Sequence, residues 1–315
     1  MIERSVLKEF CLLSSFNEQF LLAIIIIAIG YILKKINIIT EQDGEGLSRI
    51  IFNITLPALI IVSFTDMTIE PSLFLLIFFG LAYGVMMAFL AIYFFRREDR
   101  ATKGMQTMLL SGLNIGLFAY PLVGGIWGKQ GIQYFGMFDV GNAIVIFGVV
   151  YLIGSYYSTE DTNLNIKIIL GNLLKSIPLM TYIIVCSLSI AGFQIPGLII
   201  HVSKVVSVAN MPLSFLLLGI YLSFSLDKIY VQQIAKVLAL RYIIGLGIGI
   251  ALFFILPLNE MFKYTILLGL ILPIPLSALA YAVEFDYDRK FVGTVSNLTI
   301  LISFVLLWGI ANIFL

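Results

Sequence analysis

Three kinds of residue in this sequence could do chemistry together: prolines and glycines that open a helix, amides and hydroxyls close to them, and one carboxylate inside an apolar stretch. Asn114 stands seven residues before Pro121 in Leu113-Asn114-Ile115-Gly116-Leu117-Phe118-Ala119-Tyr120-Pro121. A second such segment, Leu272-Pro273-Ile274-Pro275-Leu276-Ser277, ends in a hydroxyl. Pro57 follows Asn53 and Thr55, and Pro212 follows Asn210. Proline removes a backbone donor and clashes with the preceding turn, so helices through these segments are expected to be interrupted. An interrupted helix offers free N–H groups at one new end and free C=O groups at the other, a fixed positive and a fixed negative pole. Positive poles suit a carboxylate, negative poles a cation. The chemistry expected is reversible binding of a small ion, with Asn114, Gly116, Pro121, Pro273, Pro275, Ser277, Pro57 and Asn210 as substrate-binding candidates.

Asp139 is the carboxylate, roughly 10 Å into its apolar run at 1.5 Å per residue. In hydrocarbon such a group is by default functional. It either holds a coupling proton or sodium ion, with Asn142 beside it, or pairs with a helix end and only fixes the packing. Asn53, Asn142 and Asn297 are weaker candidates for the cavity wall.

The elements that must position these groups follow from composition. Of 315 residues, 60% are hydrophobic and 12% charged, and the mean hydropathy is +1.05, which excludes a soluble globular domain. The bilayer cannot solvate backbone polar groups, so each long apolar run must be a helix, or a broken helix lining a cavity. Ten runs are expected, at 19–36, 47–65, 71–95, 104–127, 132–157, 176–195, 204–225, 234–256, 261–283 and 291–314. Runs such as Leu21-Leu22-Ala23-Ile24-Ile25 lack the alternation of a β-barrel strand. The first run follows a charged leader without a small-residue cleavage site and reads as a retained helix, not a signal peptide.

Basic residues concentrate in cytoplasmic loops. Lys34, Lys35, Arg49, Arg96, Arg97, Arg100, Lys103, Lys167, Lys175, Lys228, Lys236, Arg241, Arg289 and Lys290 all follow odd-numbered runs, leaving Arg4, Lys8, Lys129, Lys204 and Lys263 opposite. Both termini are therefore expected outside the cell membrane, with Trp127 and Trp308 at outer helix ends. Arg241 is expected to snorkel to the cytoplasmic headgroups, which leaves no cation near the interrupted segments. Glu284, Asp286 and Asp288 read as a solvated inner collar.

The polar interval 161–176 divides the chain into 1–160 and 177–315, with five runs each. An odd number per half inverts the second half, as in many secondary transporters. Pro57 in the second run corresponds to Pro212 in the seventh, and Pro121 in the fourth to Pro273 and Pro275 in the ninth.

Other classes find little support. A net charge of +1 gives no case for nucleic acid, and neither Cys11 with Cys186 nor the single His201 suggests a disulfide framework or a metal site. No Walker A, H-E-x-x-H or G-x-S-x-G sequence occurs, so neither an ATP-driven pump nor an enzyme is expected, and no cofactor.

These residues resemble the auxin efflux carrier family, which includes plant PIN-type carriers and bacterial malate- or malonate-permease-like proteins. The fourth run is similar to N-x-G-x-x-G-x-P-[LIV], met by Asn114, Gly116, Pro121 and Leu122, with Ala119 where the family often has glycine. Leu56-Pro57-Ala58-Leu59, the segment from Asn210 to Gly219, and the proline-bearing ninth run followed by Asp286 and Asp288 extend the likeness over nearly the whole chain. The resemblance implies an all-α integral membrane fold of ten helices in two inverted five-helix repeats, like that of sodium–proton antiporters and bile-acid symporters. Runs 1, 2, 6 and 7 would form a scaffold and runs 3–5 and 8–10 a transport unit, with runs 4 and 9 crossing at their prolines. It also implies small organic anions as substrate, often leaving the cell, and a homodimer in the lipid bilayer.

The function expected is a secondary carrier of small carboxylates working by alternating access. The alternatives are a ligand-binding membrane sensor without transport, against which the lack of a signalling domain argues, and a sodium- or proton-coupled carrier of another solute.

Overall fold

The computed structural model describes residues 2–65, 67, 70–158, 166–223 and 230–314, apart from the side chains of residues 2–15, 166 and 314. Within those residues all regular structure is helical. The helices are α1 (Ile2–Lys35), α2 (Glu41–Phe64), α3 (Pro71–Phe94), α4 (Arg100–Ser111), α5 (Ile115–Tyr157) and α6 (Ile166–Lys175). They continue with α7 (Ile177–Ile190), α8 (Gly197–Tyr221), α9 (Val231–Ile255), α10 (Glu260–Gly269), α11 (Ser277–Glu284) and α12 (Arg289–Phe314). Among the described residues seven helices are long and apolar enough to cross a membrane, and the pair α6–α7, bent by 71°, makes an eighth if taken as one span. Large apolar side chains such as Phe78, Val205, Phe254 and Ile255 point outward. In water such a surface would drive aggregation; in lipid it is the solvated face.

The fourth and fifth expected runs adjoin at a kink within α5. α5 turns back at Gly128, whose backbone (φ 57°, ψ −138°) is open to glycine and strained for other residues. The fold-back is plain from Tyr120 and Asp139, 19 residues apart yet joined by a 2.8 Å hydrogen bond. A straight helix would separate them by roughly 28 Å.

Two expectations about proline need correction. Pro57 and Pro121 do not break their helices. Each follows a π-helical turn, Ile51–Thr55 or Ile115–Ala119, in which the residue before the proline donates five residues back, Leu56 to Ile51 and Tyr120 to Ile115. The wider turn absorbs the missing donor without opening the helix. The fourth run is instead open at residues 112–114, before Pro121 and without a proline. In the ninth run the interruption, residues 270–276, does contain both Pro273 and Pro275. Of the interval 161–176, residues 161–165 lie outside the described residues, and 166–175 form α6, a mostly apolar helix with Lys167, Asn172 and Lys175 as its polar residues.

The two ends of the molecule carry different side-chain contacts. At one, Trp308 Nε1–H donates to Asn17 Oδ1 (2.8 Å) and Trp127 stacks on Tyr264, ring centroids 6.1 Å apart. At the other, Lys236 pairs with Glu98 (3.0 Å), Lys34 with Glu41 (3.2 Å), and Arg100 donates to the Tyr156 carbonyl (2.6 Å).

Candidate binding site at the crossed breaks

The first break begins where Gly112 leaves the helix in an extended conformation. Glycine is needed for contact: a Cβ there would stand 2.9 Å from Pro275 Cγ. Leu113 then has no helical partner for either backbone group. The Asn142 side chain supplies both, accepting from Leu113 N–H (3.0 Å) and donating to Leu113 C=O (2.9 Å). Asn114 Oδ1 caps the next helix by accepting from Leu117 N–H (3.3 Å). Asn114 Nδ2 has no partner, although the residue is only 4% exposed.

The second break is held by donors from three helices. Tyr83 Oη donates to the Leu270 carbonyl (3.2 Å), Ser303 Oγ to Ile271 (2.7 Å), and Arg241 to Leu272 (2.7 Å), while Ile274 N–H donates to Thr299 Oγ1 (3.0 Å). Unpaired carbonyls in so dry a place would each be costly, and every one of these is met. The breaks then join each other: Asn114 N–H donates to the Pro273 carbonyl at 2.8 Å.

Beside this junction lies a cavity of about 770 Å³. Asn114, Gly116, Asp139, Asn142, Pro275 and Ser277, all marked out in the sequence, lie on its wall, together with Asn53. Pro57, Pro121, Pro273 and Asn210 are not on that wall. Asn210 instead donates from Nδ2 to Thr55 Oγ1 (3.1 Å), tying α8 to α2. Ser277 Oγ, like Asn114 Nδ2, has no partner among the described residues. The exposed rim carries Glu45, Arg49, Lys175 and Glu284, the last accepting from Tyr151 Oη (2.8 Å).

Asp139 accepts from Tyr120 Oη (2.8 Å) and from Asn142 Nδ2 (3.1 Å). Tyr120 and Tyr182 share a further hydrogen bond, which links α5 to α7. No ion pair to Asp139 is found among the described residues. Its partners are donors, not the ring of oxygens a metal cation needs.

Arg241 does not reach the headgroups. It is fully buried, and its guanidinium donates to the carbonyls of Leu109 (3.1 Å), Leu110 (3.3 Å), Gly112 (2.8 Å) and Leu272. A cation therefore does lie beside the breaks, although it is not among the residues that line the cavity. Its depth was a usable signal: ten residues after Val231 is roughly 15 Å of helix, beyond easy snorkelling. Tyr120 was also legible, one residue before Pro121, whereas Tyr182 had no local mark. Of the acidic collar, Asp288 is not merely solvated: it caps α12 by accepting from Phe291 N–H (2.9 Å).

Residues 16–311 match the family described as membrane transport protein. The chain belongs to this family, that of the auxin efflux carriers. It is also similar to two archaeal proteins of nearly equal length. An uncharacterized transporter of Methanothermobacter thermautotrophicus is 23% identical over 301 residues, covering 93% of this chain and 97% of the relative. An uncharacterized transporter of Methanocaldococcus jannaschii is 24% identical over 301 residues, covering 92% and 96%. This auxin efflux carrier family member is thus a multi-pass membrane transporter.

Proposed function

We propose that this family member is a secondary carrier of small organic anions, holding a carboxylate where the two breaks meet. One observation carries the reading. Asn114 and Ser277, whose buried Nδ2 and Oγ have no partner among the described residues, line one cavity from the first turns of the two helices that restart after the breaks. Those helix starts are positive poles, and the two side chains are free to donate to an anion. No lysine or arginine stands with them on the floor, so capture is weak enough to permit release.

Several features support ten crossings in two inverted halves of five. The Gly128 turn divides α5 into two arms, α4 with the first arm makes one interrupted crossing, and α10 with α11 makes another. The interruptions then fall in the fourth and ninth crossings. α1 packs along α8, and α2 against α7 and α8, in keeping with a scaffold of those four; α3 packs along α5 and α9 along α10, in keeping with a transport unit. Alternating access is the movement of one against the other.

Arg49 and Lys175 at the rim belong to the basic-loop side, so the cavity reads as open to the cytoplasm of a cell membrane with both chain ends outside. An anion loaded there leaves with the membrane potential, which contributes about 2.3 kcal/mol per charge per 100 mV. Efflux is accordingly the direction proposed. Asp139 is the position we assign to a coupling ion, and its donor partners fit a proton better than sodium.

The test is a thermal-shift screen of small carboxylic acids on the purified protein, repeated with Asn114→Ala, followed by flux of the best acid in proteoliposomes. At least one acid should raise the melting temperature of the wild type and not of the variant, and should be transported. Absence of any acid-dependent shift would remove the organic-anion reading; binding without flux would make the protein a sensor.

A further inference from the structure

We propose that Arg241 is the residue that makes the crossing prefer anions. The inference rests on the reading above that the cavity holds a carboxylate, and adds what gives the cavity its sign. Two crossed half-helix pairs bring four poles together, two positive and two negative, and by symmetry alone they would nearly cancel. Arg241 breaks that balance. Its five hydrogen bonds all go to carbonyls at the negative poles: Leu109 and Leu110 in the last turn of α4, Gly112 just beyond it, and Leu272 after the end of α10. The last-turn carbonyls of a helix are those without intrahelical partners, so the guanidinium sits where the negative pole is concentrated.

The positive poles have no charged side chain bonded to them: Asp139, on the same cavity wall, accepts from Tyr120 and Asn142 instead. α11 starts at Ser277 with no side-chain cap, and the first arm of α5 is capped only by the neutral amide of Asn114. Asn114, only 4% exposed, lines the cavity at that pole, and its Nδ2 has no partner among the described residues. Among the described residues no carboxylate pairs with Arg241, so no side-chain anion takes its charge away from those carbonyls. In a low-dielectric interior an unneutralised charge acts over distance. The cavity therefore sees two positive poles, while the two negative ones are offset by the Arg241 charge, and the balance is positive. Arg241 touches no substrate: it is a positioning and field-setting residue.

The test reads charge discrimination, which a purely structural role would leave unmoved. For a panel of small carboxylates, each paired with its neutral amide, the concentration giving half the maximal thermal shift is measured on the full chain. The wild type should favour an acid over its amide by about tenfold or more, Arg241→Gln should bring that ratio close to one, and Arg241→Lys should keep it within about threefold of wild type. The rim double variant Arg49→Gln/Lys175→Gln should leave the ratio intact. A wild-type ratio surviving in Arg241→Gln overturns the inference while leaving the carrier reading standing. If no acid shifts the wild type, both fall together. If Arg241→Gln fails to fold, the rim variant decides: loss of the ratio there assigns the preference to the rim and overturns the inference, whereas its retention there and in Arg241→Lys supports it.

Discussion

The backbone N–H of Asn114 donates to the carbonyl of Pro273, 2.8 Å across two breaks that lie 159 positions apart in the chain. One bond thus joins the two interrupted segments at the point where each has lost its helical partners. Everything at the site is arranged around it: Gly112 against Pro275, the Asn142 amide on Leu113, Arg241 on the carbonyls of both preceding helices. A break in a membrane helix survives only where protein replaces water as the hydrogen-bonding partner, and here the two breaks and their neighbours replace it for each other.

Asn142 is the side chain on which the first break depends most. Asn142→Ala removes both side-chain bonds to Leu113, leaving its buried N–H unmet at roughly 1–3 kcal/mol and its C=O with only the 3.2 Å bond from Ile115 N–H. The melting temperature of the purified variant should fall by several degrees, and Asn142→Asp, which keeps the acceptor and loses the donor, should fall between. A wild-type melt for Asn142→Ala would remove Asn142 from the break.

Gly128 sets the turn between the arms of α5. Its φ of 57° with ψ of −138° is a region other residues enter only under strain, so Gly128→Ala should destabilise by about 1–3 kcal/mol. Nothing lies within 4 Å of the position a Cβ would take, so crowding adds nothing and the whole loss is conformational. Equal stability of wild type and variant would contradict the turn.

Asp139 is predicted to govern the pH dependence of flux. Asp139→Asn keeps the shape and removes the exchangeable proton, so transport of the acid should become insensitive to an imposed pH gradient. Tyr182→Phe removes the tyrosine pair with Tyr120 but leaves the Tyr120 and Asn142 bonds to Asp139, and should retain that sensitivity. Unchanged gradient dependence in Asp139→Asn would eliminate proton coupling at this position.

Asp99, at the membrane edge, provides a pH signature of stability. Hydrogen bonds from the Thr102 side chain and backbone N–H hold its carboxyl below the usual carboxylate range as it caps α4. Because the folded value is depressed, its contribution is complete above the unfolded value of about 4 and is lost as pH falls through the folded one. Asp99→Ala should cost about 0.5–2 kcal/mol near neutrality, toward the low end for so exposed a cap, and the difference from wild type should shrink on acidification below that unfolded value. A difference constant from neutral to acid pH would show that the cap carries no charge-dependent stability.

The sequence by itself determined where the apolar helices run, which end of each faces the basic side, and that Asn114, Gly116, Asp139, Asn142, Pro275 and Ser277 were worth marking. These are local matters: the length and hydropathy of a segment fix whether it can lie in lipid, and an amide or carboxylate inside it is conspicuous because hydrocarbon cannot solvate it. Only the tertiary structure decided the rest. Pro121 looked like the breaker of its helix, yet a π turn absorbs it, and the opening falls at Gly112–Leu113–Asn114 because Asn142, Pro273 and Pro275 are there to meet the freed groups. Arg241 looked like a headgroup anchor, and its target became visible only when the ends of α4 and α10 came together beside α9. Tyr182 carried no local sign of its bond to Tyr120. A backbone group's own chemistry says that it must be satisfied; which distant side chain satisfies it is settled by packing, and packing is not written in any single stretch of chain.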